Sequence, residues 1–238
     1  MLKSMVKRSI RNMGFDIERH NVVHSADARF AAMLAANRIN LIFDIGANLG
    51  QFARSVRESG YSGRIVSFEP LSSAWTRLAE ACEKDPLWDV APRCAIGSED
   101  GEITMHIAGN LASSSALNML DSHVAAAPDS AYVGTEIAPV HRLDTIAGDY
   151  LETDSRLLIK IDTQGFEDQV LKGAPELINK AVGLHMELLV APLYEHQCRY
   201  DEMLDRVRAL GYELWDINSV FVDPETGRTL AADTTFFR

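Results

Sequence analysis

The sequence predicts an α/β fold with one mostly parallel sheet and helices packed on both of its faces. Short apolar runs of strand length alternate along the chain with segments whose apolar residues recur every three or four positions. Such alternation is typical of parallel strands joined by helical crossovers. With 238 residues, 47% of them apolar, the chain is long enough to bury one substantial core.

The alternation begins at residue 25. Ser25 is a suitable N-cap, and Phe30, Met33 and Leu34 after it share one helical face. The elements expected over the first hundred residues are a helix at 25–37, a strand at 40–44, a helix at 52–60, a strand at 64–69, a helix at 75–82 and a strand at 89–96, which Pro92 weakens.

The later part of the chain repeats this order after a long interruption. The elements expected there are a strand at 157–162, a helix from 166, a strand at 181–187, a helix at 203–210 and closing strands at 212–217 and 230–237. Residues 97–156 are polar and irregular, so we expect an insertion with short extra strands that forms a mobile cover over the site. No repeat or linker divides the sequence, and we expect one domain at 40–238 after a helical extension at 1–39.

The charge balance argues against one class of partner. Acidic residues number 34 and basic residues 23, and a net charge of −11 repels the phosphate backbone of a nucleic acid. The three cysteines, Cys82, Cys94 and Cys198, are well separated, which favours a reducing, cytoplasmic compartment. No apolar run approaches the roughly 18–20 residues of a membrane span, and the N-terminus lacks an apolar signal core.

The first twenty residues differ in charge from the rest. They hold five basic and two acidic residues, a net charge of +3, which leaves −14 for the remaining chain. Leu2, Met5, Val6, Ile10 and Met13 fall near helical spacing between these cations. Two arrangements fit this pattern: an amphipathic helix on a membrane surface, and a helix packed on the domain or on a second subunit of a homodimer.

Polar residues at the strand ends are the first candidates for ligand contacts, because an open parallel sheet binds ligands at the carboxyl ends of its strands. The first strand runs into Asp44-Ile45-Gly46-Ala47-Asn48-Leu49-Gly50, where glycine permits a sharp turn and a close approach of ligand to backbone. Glu69 ends the next strand, where a carboxylate can accept hydrogen bonds from both hydroxyls of a ribose. Together these features indicate an adenosine-type cofactor.

The loop distinguishes between two such cofactors. A dinucleotide loop usually carries Gly-x-Gly-x-x-Gly, but Asn48 replaces the middle glycine and Asp44 would oppose a pyrophosphate. S-adenosylmethionine, with an ammonium and a sulfonium group, suits this loop better. An NAD-dependent oxidoreductase and a non-catalytic cofactor-binding partner protein are the alternatives. The residues expected to contact the cofactor are Asp44, Gly46, Asn48, Gly50, Glu69, Pro70 and Ala95.

Several blocks of the sequence resemble the FkbM-type methyltransferases. They are residues 43–50, Ser67-Phe68-Glu69-Pro70, Leu143-Asp144-Thr145-Ile146, residues 159–167, Met186-Glu187 and residues 232–238. The resemblance runs from about residue 40 to the end and departs at Gln164, where the family commonly has a more hydrophobic or acidic residue. It implies a class I methyltransferase (Rossmann-like) sheet of about seven strands with the last antiparallel. It also implies methyl transfer from S-adenosylmethionine to oxygen, often on a sugar or polyketide hydroxyl.

A hydroxyl acceptor is a weak nucleophile, so a general base is expected near the transferred methyl group. Asp162, at a strand end, is the first candidate, and capping of the following helix is its alternative role. Glu187 is expected to act as a base, to orient the acceptor or to form a salt bridge, and His141 is either a base or a surface histidine. Asp162 and Glu187 lie where some methyltransferases hold magnesium, but no adjacent acid follows Glu187 and a metal is not favoured.

The expected acceptor is a small molecule or glycoconjugate with a free hydroxyl, bound in a pocket that the insertion shapes. His185 lies inside a predicted strand, where a core position is expected. His196 is a weaker candidate for contact with the acceptor. The run Ser113-Ser114-Ser115 either offers hydroxyls to a substrate or is a solvated loop, which is the usual role of a serine run.

Overall fold

A computed structural model of the protein describes residues 2–17 and 19–238. Its helices are α1 (Leu2–Arg11), α2 (Ala26–Ala36), α3 (Gln51–Glu58), α4 (Ser72–Cys82), α5 (Asp121–Ala126), α6 (Leu143–Ile146), α7 (Glu167–Lys172), α8 (Pro175–Lys180) and α9 (Tyr200–Ala209), with 3-10 turns at Pro128–Ser130 and Ala147–Tyr150. Its strands are β1 (Leu41–Ile45), β2 (Arg64–Phe68), β3 (Trp88–Val90), β4 (Ala95–Ile96), β5 (Gly101–Ala108), β6 (Tyr132–His141), β7 (Leu157–Ile161), β8 (Gly183–Leu189), β9 (Glu213–Val222) and β10 (Thr229–Phe237).

Seven strands form the main sheet, in the order β3-β2-β1-β7-β8-β10-β9. β1 pairs in parallel with β2 and β7, and β7 pairs in parallel with β8. β10 runs antiparallel to both of its neighbours, β8 and β9. The predicted mostly parallel sheet with an antiparallel last strand is therefore confirmed.

Helices cover both faces of this sheet, because the central strands are buried on both sides. One face packs against α2, α3 and α4, and the other against α6, α7, α8 and α9. The core on the first face includes Leu34, Val56 and Leu78. The core on the second face includes Leu143, Val170, Ile178 and Val207. Ser25 caps α2 as predicted, since its hydroxyl accepts a hydrogen bond from the Ala28 amide.

The prediction of a single strand at 89–96 is wrong. Trp88–Val90 pairs with β2 in the main sheet, whereas Ala95–Ile96 pairs with β6 in a second sheet of order β4-β6-β5. Pro92 lies between the two pieces, and a proline has no N–H with which to continue a ladder. The chain therefore leaves the main sheet at this point.

The segment at 97–156 is more regular than expected. β5 and β6, of 8 and 10 residues, pair along their lengths, so the prediction of short strands is wrong. Met105 and Ala138 of this pair pack with Leu71 and Ala74 at the start of α4. The second sheet thus lies beside the loop that follows β2.

The predicted N-terminal helix is present as α1. The side chains of Leu2 and Met5, two members of its apolar stripe, lie outside the described part of the chain. Val6 and Met13 are exposed and Ile10 is half-buried. Within the described residues, 2–17 and 19–238, no helix has both the length and the apolar character needed to cross a membrane.

Candidate active site

A cavity of about 1080 Å³, part of it open to solvent, lies at the carboxyl ends of β1, β2 and β7. The strand order reverses between β1 and β7, and such a switch point is where open α/β sheets bind ligands. The loop after β1, the end of β2 and the second sheet supply its walls. Of the residues predicted to contact a cofactor, the lining includes Gly46, Asn48, Glu69, Pro70 and Ala95.

The loop after β1 is tightly constrained. Gly46 has a φ of +74°, and a β-carbon at this position would overlap the carbonyl oxygen of Asp162 at the end of β7. The amides of Gly46 and Ala47 both donate to the carbonyl of Phe68 at 3.1 Å. Glycine is thus required here because two strand ends approach each other closely.

Glu69 ties the ends of β1 and β2 together. The Asn48 amide donates to Oε2 of Glu69 at 2.7 Å, and the Leu71 amide donates to Oε1 at 2.9 Å. The side chain is buried, and burial raises the pKa of Glu69 to about 7 despite these two hydrogen bonds. Each carboxyl oxygen has more than one acceptor site, so both can accept a further hydrogen bond from the cavity.

Asp44 and Gly50 do not belong to the lining. The Asp44 side chain is fully buried, lies 3.0 Å from the Lys160 ammonium and accepts a hydrogen bond from the Ser67 hydroxyl. Gly50 has a φ of +80° at the start of α3, and a β-carbon there would lie 2.6 Å from the Trp88 ring. Both residues support the loop from behind, and their predicted contact with a cofactor stays a prediction.

Lys160 was not predicted as a site residue, although it is a lone cation within an apolar run. Its ammonium donates to the carbonyl of Gly46 at 2.9 Å and lies 3.6 Å from Asp162 Oδ2. Burial alone would lower the pKa of Lys160, but the charges of Asp44 and Asp162 outweigh burial and raise it. The side chain is therefore a fixed positive charge beneath the loop.

Asp162 and Glu187, the two predicted catalytic carboxylates, both line the cavity and are joined by Gln164. The Gln164 side-chain amide donates to Glu187 and, at 2.9 Å, to Asp162 Oδ1. Its side-chain carbonyl accepts a hydrogen bond from the Tyr194 hydroxyl at 2.8 Å. Gln164 has a φ of +54°, so its backbone as well as its side chain is shaped around this contact. Nothing in the sequence pointed to Tyr194, but the departure from the family at Gln164 was a usable signal.

The two carboxyl groups differ in their surroundings. Burial, followed by the charges of Asp162 and Asp233, raises the pKa of Glu187 well above its ordinary value. The Asp162 side chain is 35% exposed and faces the cavity. It does not cap α7, because the N-cap position of this helix is Phe166 and no side chain makes a capping hydrogen bond there. The Asp162 carboxylate is thus within reach of a ligand in the cavity.

The other predicted candidates lie elsewhere. The His141 ring is 3.2 Å from Asp100 Oδ1, is partly exposed and does not line the cavity. His196 is exposed. For the serine run, the solvated-loop alternative is wrong, because Ser113 and Ser115 are buried and hydrogen-bonded to neighbouring loops. Ser114 lines the cavity, and its contact with a substrate stays a prediction.

Metal ligation has no obvious place in the described ranges. No group of three or more His, Cys, Asp or Glu side chains within residues 2–17 and 19–238 is arranged to hold a metal ion. A reaction without magnesium stays a prediction.

Comparison with known proteins supports both the fold and the family. A family model described as the methyltransferase FkbM domain matches residues 44–214.

Among solved structures, a candidate methyltransferase from Thermobifida fusca YX aligns with a TM-score of 0.52 at 13% identity, covering 89% of this chain and 78% of that one. An S-adenosylmethionine-dependent methyltransferase from Mesorhizobium loti aligns with a TM-score of 0.50 at 11% identity, covering 92% and 100%. No curated protein matches the sequence significantly. The predicted class I methyltransferase fold is confirmed.

Proposed function

Because this chain belongs to the FkbM methyltransferase family, we propose that it transfers a methyl group from S-adenosylmethionine to a hydroxyl oxygen of a sugar-containing or other natural-product acceptor. One observation carries the proposal beyond family membership. The Asp162 carboxylate faces the cavity at the sheet's switch point, beside Lys160 and Gln164. A carboxylate in this position can accept the proton of a hydroxyl as that hydroxyl is methylated.

The residues of the cavity fit the proposed methyl donor. When bound, S-adenosylmethionine supplies an activated methyl group on a sulfonium. Glu69 retains acceptor sites for ribose hydroxyls, and its place at the end of β2 suits that role. Asn48 Oδ1 is buried with no hydrogen-bond partner among the described residues, so it offers an acceptor to an ammonium group. Asn48 stands where a dinucleotide loop carries its middle glycine, which argues against a dinucleotide.

The roles of the two carboxyl groups follow from their surroundings. Burial and the charges of Asp162 and Asp233 raise the pKa of Glu187 and so disfavour its ionised form, whereas the Asp162 side chain is 35% exposed at the cavity. Asp162 therefore takes the hydroxyl proton as the oxygen–carbon bond forms and the carbon–sulfur bond breaks. Gln164 holds Asp162 in place through the amide that it also shares with Glu187. Alignment of the acceptor oxygen and exclusion of water supply much of the remaining rate enhancement.

Calorimetric titration with S-adenosylhomocysteine tests the cofactor assignment. We expect Glu69→Ala to weaken binding at least tenfold, since it removes the acceptor and loosens the amides of Asn48 and Leu71. Glu80→Ala, an exposed change on α4, is the matched control and should bind like the wild type. Equal affinity of Glu69→Ala and wild type would remove Glu69 from this role, and affinity for NADH alone would overturn the choice of cofactor.

Methyl transfer by Asp162→Asn tests the base. We expect a loss of at least a hundredfold in kcat, with S-adenosylhomocysteine affinity within threefold of wild type, because the amide cannot accept the proton. Full transfer by this variant at every pH would eliminate Asp162 as the base. Retained cofactor affinity in the wild type, with no transfer to any acceptor in a broad screen, would instead indicate a non-catalytic binding protein.

A further inference from the structure

A second cavity, of about 900 Å³ with part of it open to solvent, adjoins the first. It lies between α2 and α3 on one side and β8, β9 and β10 on the other. Gln51, Phe52, Lys160 and Asp162 line both cavities. The side chain that we assign as the base thus faces two spaces, of which the one beside Glu69 fits the cofactor.

The walls of this second cavity combine aromatic and hydrogen-bonding groups. The Phe30 and His185 ring centroids are 4.5 Å apart, and Phe52 stacks on His185 at 5.6 Å. Asn218 and Thr235 extend from β9 and β10 into the lining. Rings suit the apolar faces of a ligand, while amide and hydroxyl groups suit its polar edges.

The charge of this lining is one-sided. Four carboxylates contribute to it, from Asp27, Asp162, Asp216 and Asp233. Lys160, the cation of the lining, lies 3.0 Å from Asp44 and is compensated in that way. Asp216 is paired with Arg29 at 3.1 Å, Asp162 lies 3.6 Å from Lys160, and burial raises the pKa of Asp233 to about 7. The acids still outnumber the cations around this cavity, so a phosphate or carboxylate placed here would meet an excess of negative charge, whereas a hydroxyl or an ammonium group would find acceptors.

We propose, on the premise of the methyl transfer proposed above, that the acceptor binds in this second cavity and is a neutral or amine-bearing hydroxyl compound rather than an anionic one. Its hydroxyl reaches Asp162 from the side of α2, β9 and β10. The acceptor pocket is then shaped mainly by α2, which precedes the first strand, and by the closing strands. Residues 97–156, from which we expected this role at the sequence level, contribute nothing to the lining.

Filling the cavity tests its assignment. Asn218→Trp places a large ring in the second cavity and leaves the cofactor cavity untouched, since Asn218 lines only the former. Ile217→Trp is the matched control, because neighbouring strand residues point to opposite faces and Ile217 is half exposed. With radiolabelled S-adenosylmethionine, we expect Asn218→Trp to lower transfer at least tenfold while S-adenosylhomocysteine affinity stays within twofold. The control should change neither.

A panel of matched acceptors tests whether the enzyme prefers neutral or amine-bearing acceptors over anionic ones. Hexoses and simple aryl and alkyl alcohols would each be offered in neutral, amino and phosphate forms. We expect kcat/KM for the neutral or amino forms to exceed that for the phosphate form at least tenfold. Wild-type transfer by Asn218→Trp, or preference for a phosphate form, would overturn the inference while leaving methyl transfer intact. Absence of transfer to every form would overturn the proposed function and this inference with it.

The N-terminal segment supports a second, independent inference. Every described side chain at 6–17 and 19–24 is exposed except that of Ile10, which is half-buried, so this segment does not pack closely on the domain. Its exposed apolar side chains are Val6, Met13, Phe15, Ile17, Val22 and Val23. Residues 1–20 carry a net charge of +3 in a chain of −11.

We infer that this segment binds an anionic lipid surface. Exposed apolar side chains interspersed with cations are what an interfacial segment presents to a bilayer of negative surface potential. The positive sign is opposite to that of the rest of the chain, which such a surface would repel. The acidic domain thus faces the solution and the segment faces the lipid.

Vesicle sedimentation with the full chain tests this inference. We expect binding to vesicles of phosphatidylcholine with 30% phosphatidylglycerol to be at least tenfold tighter than to phosphatidylcholine alone, and to weaken with salt. Phe15→Ser/Val23→Ser should lower it at least tenfold, whereas Glu80→Ala on α4 should not. Equal binding to both vesicles overturns the inference. So does a dimer in solution that the double variant converts to monomer without any vesicle binding.

Discussion

Replacing Lys160 by methionine tests whether a buried ion pair holds the loop after β1 in place. The Lys160 ammonium lies 3.0 Å from Asp44, whose side chain is fully buried, and donates to the carbonyl of Gly46 at 2.9 Å. Methionine keeps most of the side-chain volume and removes the charge. Asp44 is then left in the core with its counter-charge gone.

The expected loss in the free energy of unfolding is about 3–5 kcal/mol, because removing one partner strands the other charge. Coulomb's law at an effective dielectric of 20 gives a slightly larger figure, about 5.5 kcal/mol, for unit charges 3.0 Å apart. Asp44→Asn/Lys160→Met removes both charges, and we expect it to be about 2 kcal/mol more stable than Lys160→Met alone.

Urea denaturation at pH 7, followed by the fluorescence of the three tryptophans, measures these differences. Lys84→Met, an exposed change just beyond α4, is the control and should stay within about 0.5 kcal/mol of wild type. A loss below about 1 kcal/mol in Lys160→Met would refute the argument. So would a double variant that is less stable than the single one, since the pair could then not be the source of the loss.

Three further perturbations follow from the same contacts. Gly46→Ala should lose at least about 2 kcal/mol of stability and bind S-adenosylhomocysteine weakly, because the new methyl group overlaps a backbone carbonyl, while Gly101→Ala, which has open space, should be neutral. Burial raises the pKa of both Glu69 and Glu167 to about 7, so the folded chain keeps protons that the unfolded chain loses above about pH 4.5. Stability should therefore fall as pH rises from 5 to 7, and a flat or rising profile in urea melts would contradict this. Tyr194→Phe removes the hydroxyl that donates to Gln164, the residue that joins Asp162 and Glu187. Methyl transfer should then drop about tenfold with unchanged cofactor affinity. Unchanged transfer would show that this hydrogen bond has no role in the reaction.

Much of the fold could be predicted because its signals are local. The strand at 40–44 is an apolar run bounded by polar residues, and the helix after Ser25 has a capping residue and a regular apolar face. The division of 89–96 between two sheets could not be predicted in the same way. The partner of Ala95–Ile96 is β6, more than forty residues later, and the pattern around Pro92 indicates a break without naming that partner.

The loop and Glu69 could be placed in the site because their spacing follows the order of the first two strands. The bridge between the carboxyl groups could not, since it depends on the loop after β7. Gln164 reaches both Asp162 and Glu187 from a left-handed backbone conformation, and Tyr194 holds it from a loop thirty residues later. Neither the backbone conformation nor the distant hydroxyl has a signature in the local pattern.

A row of polar residues crosses the main sheet, and it could not be predicted from the sequence because it depends on how the strands pair. In the strand register, Ser67 lies beside Asp44, Asp44 beside Lys160, Lys160 beside His185, and His185 beside Thr235. Asp44 and Lys160 are each the one polar residue of an apolar strand, where a core position or a functional role is equally reasonable. The register places them in one line that starts behind the cofactor loop and ends in the wall of the second cavity. Lys160 lies at the middle of the row and in the lining of both cavities. If the second cavity holds the acceptor as proposed, a change at Lys160 should therefore affect binding of both cofactor and acceptor.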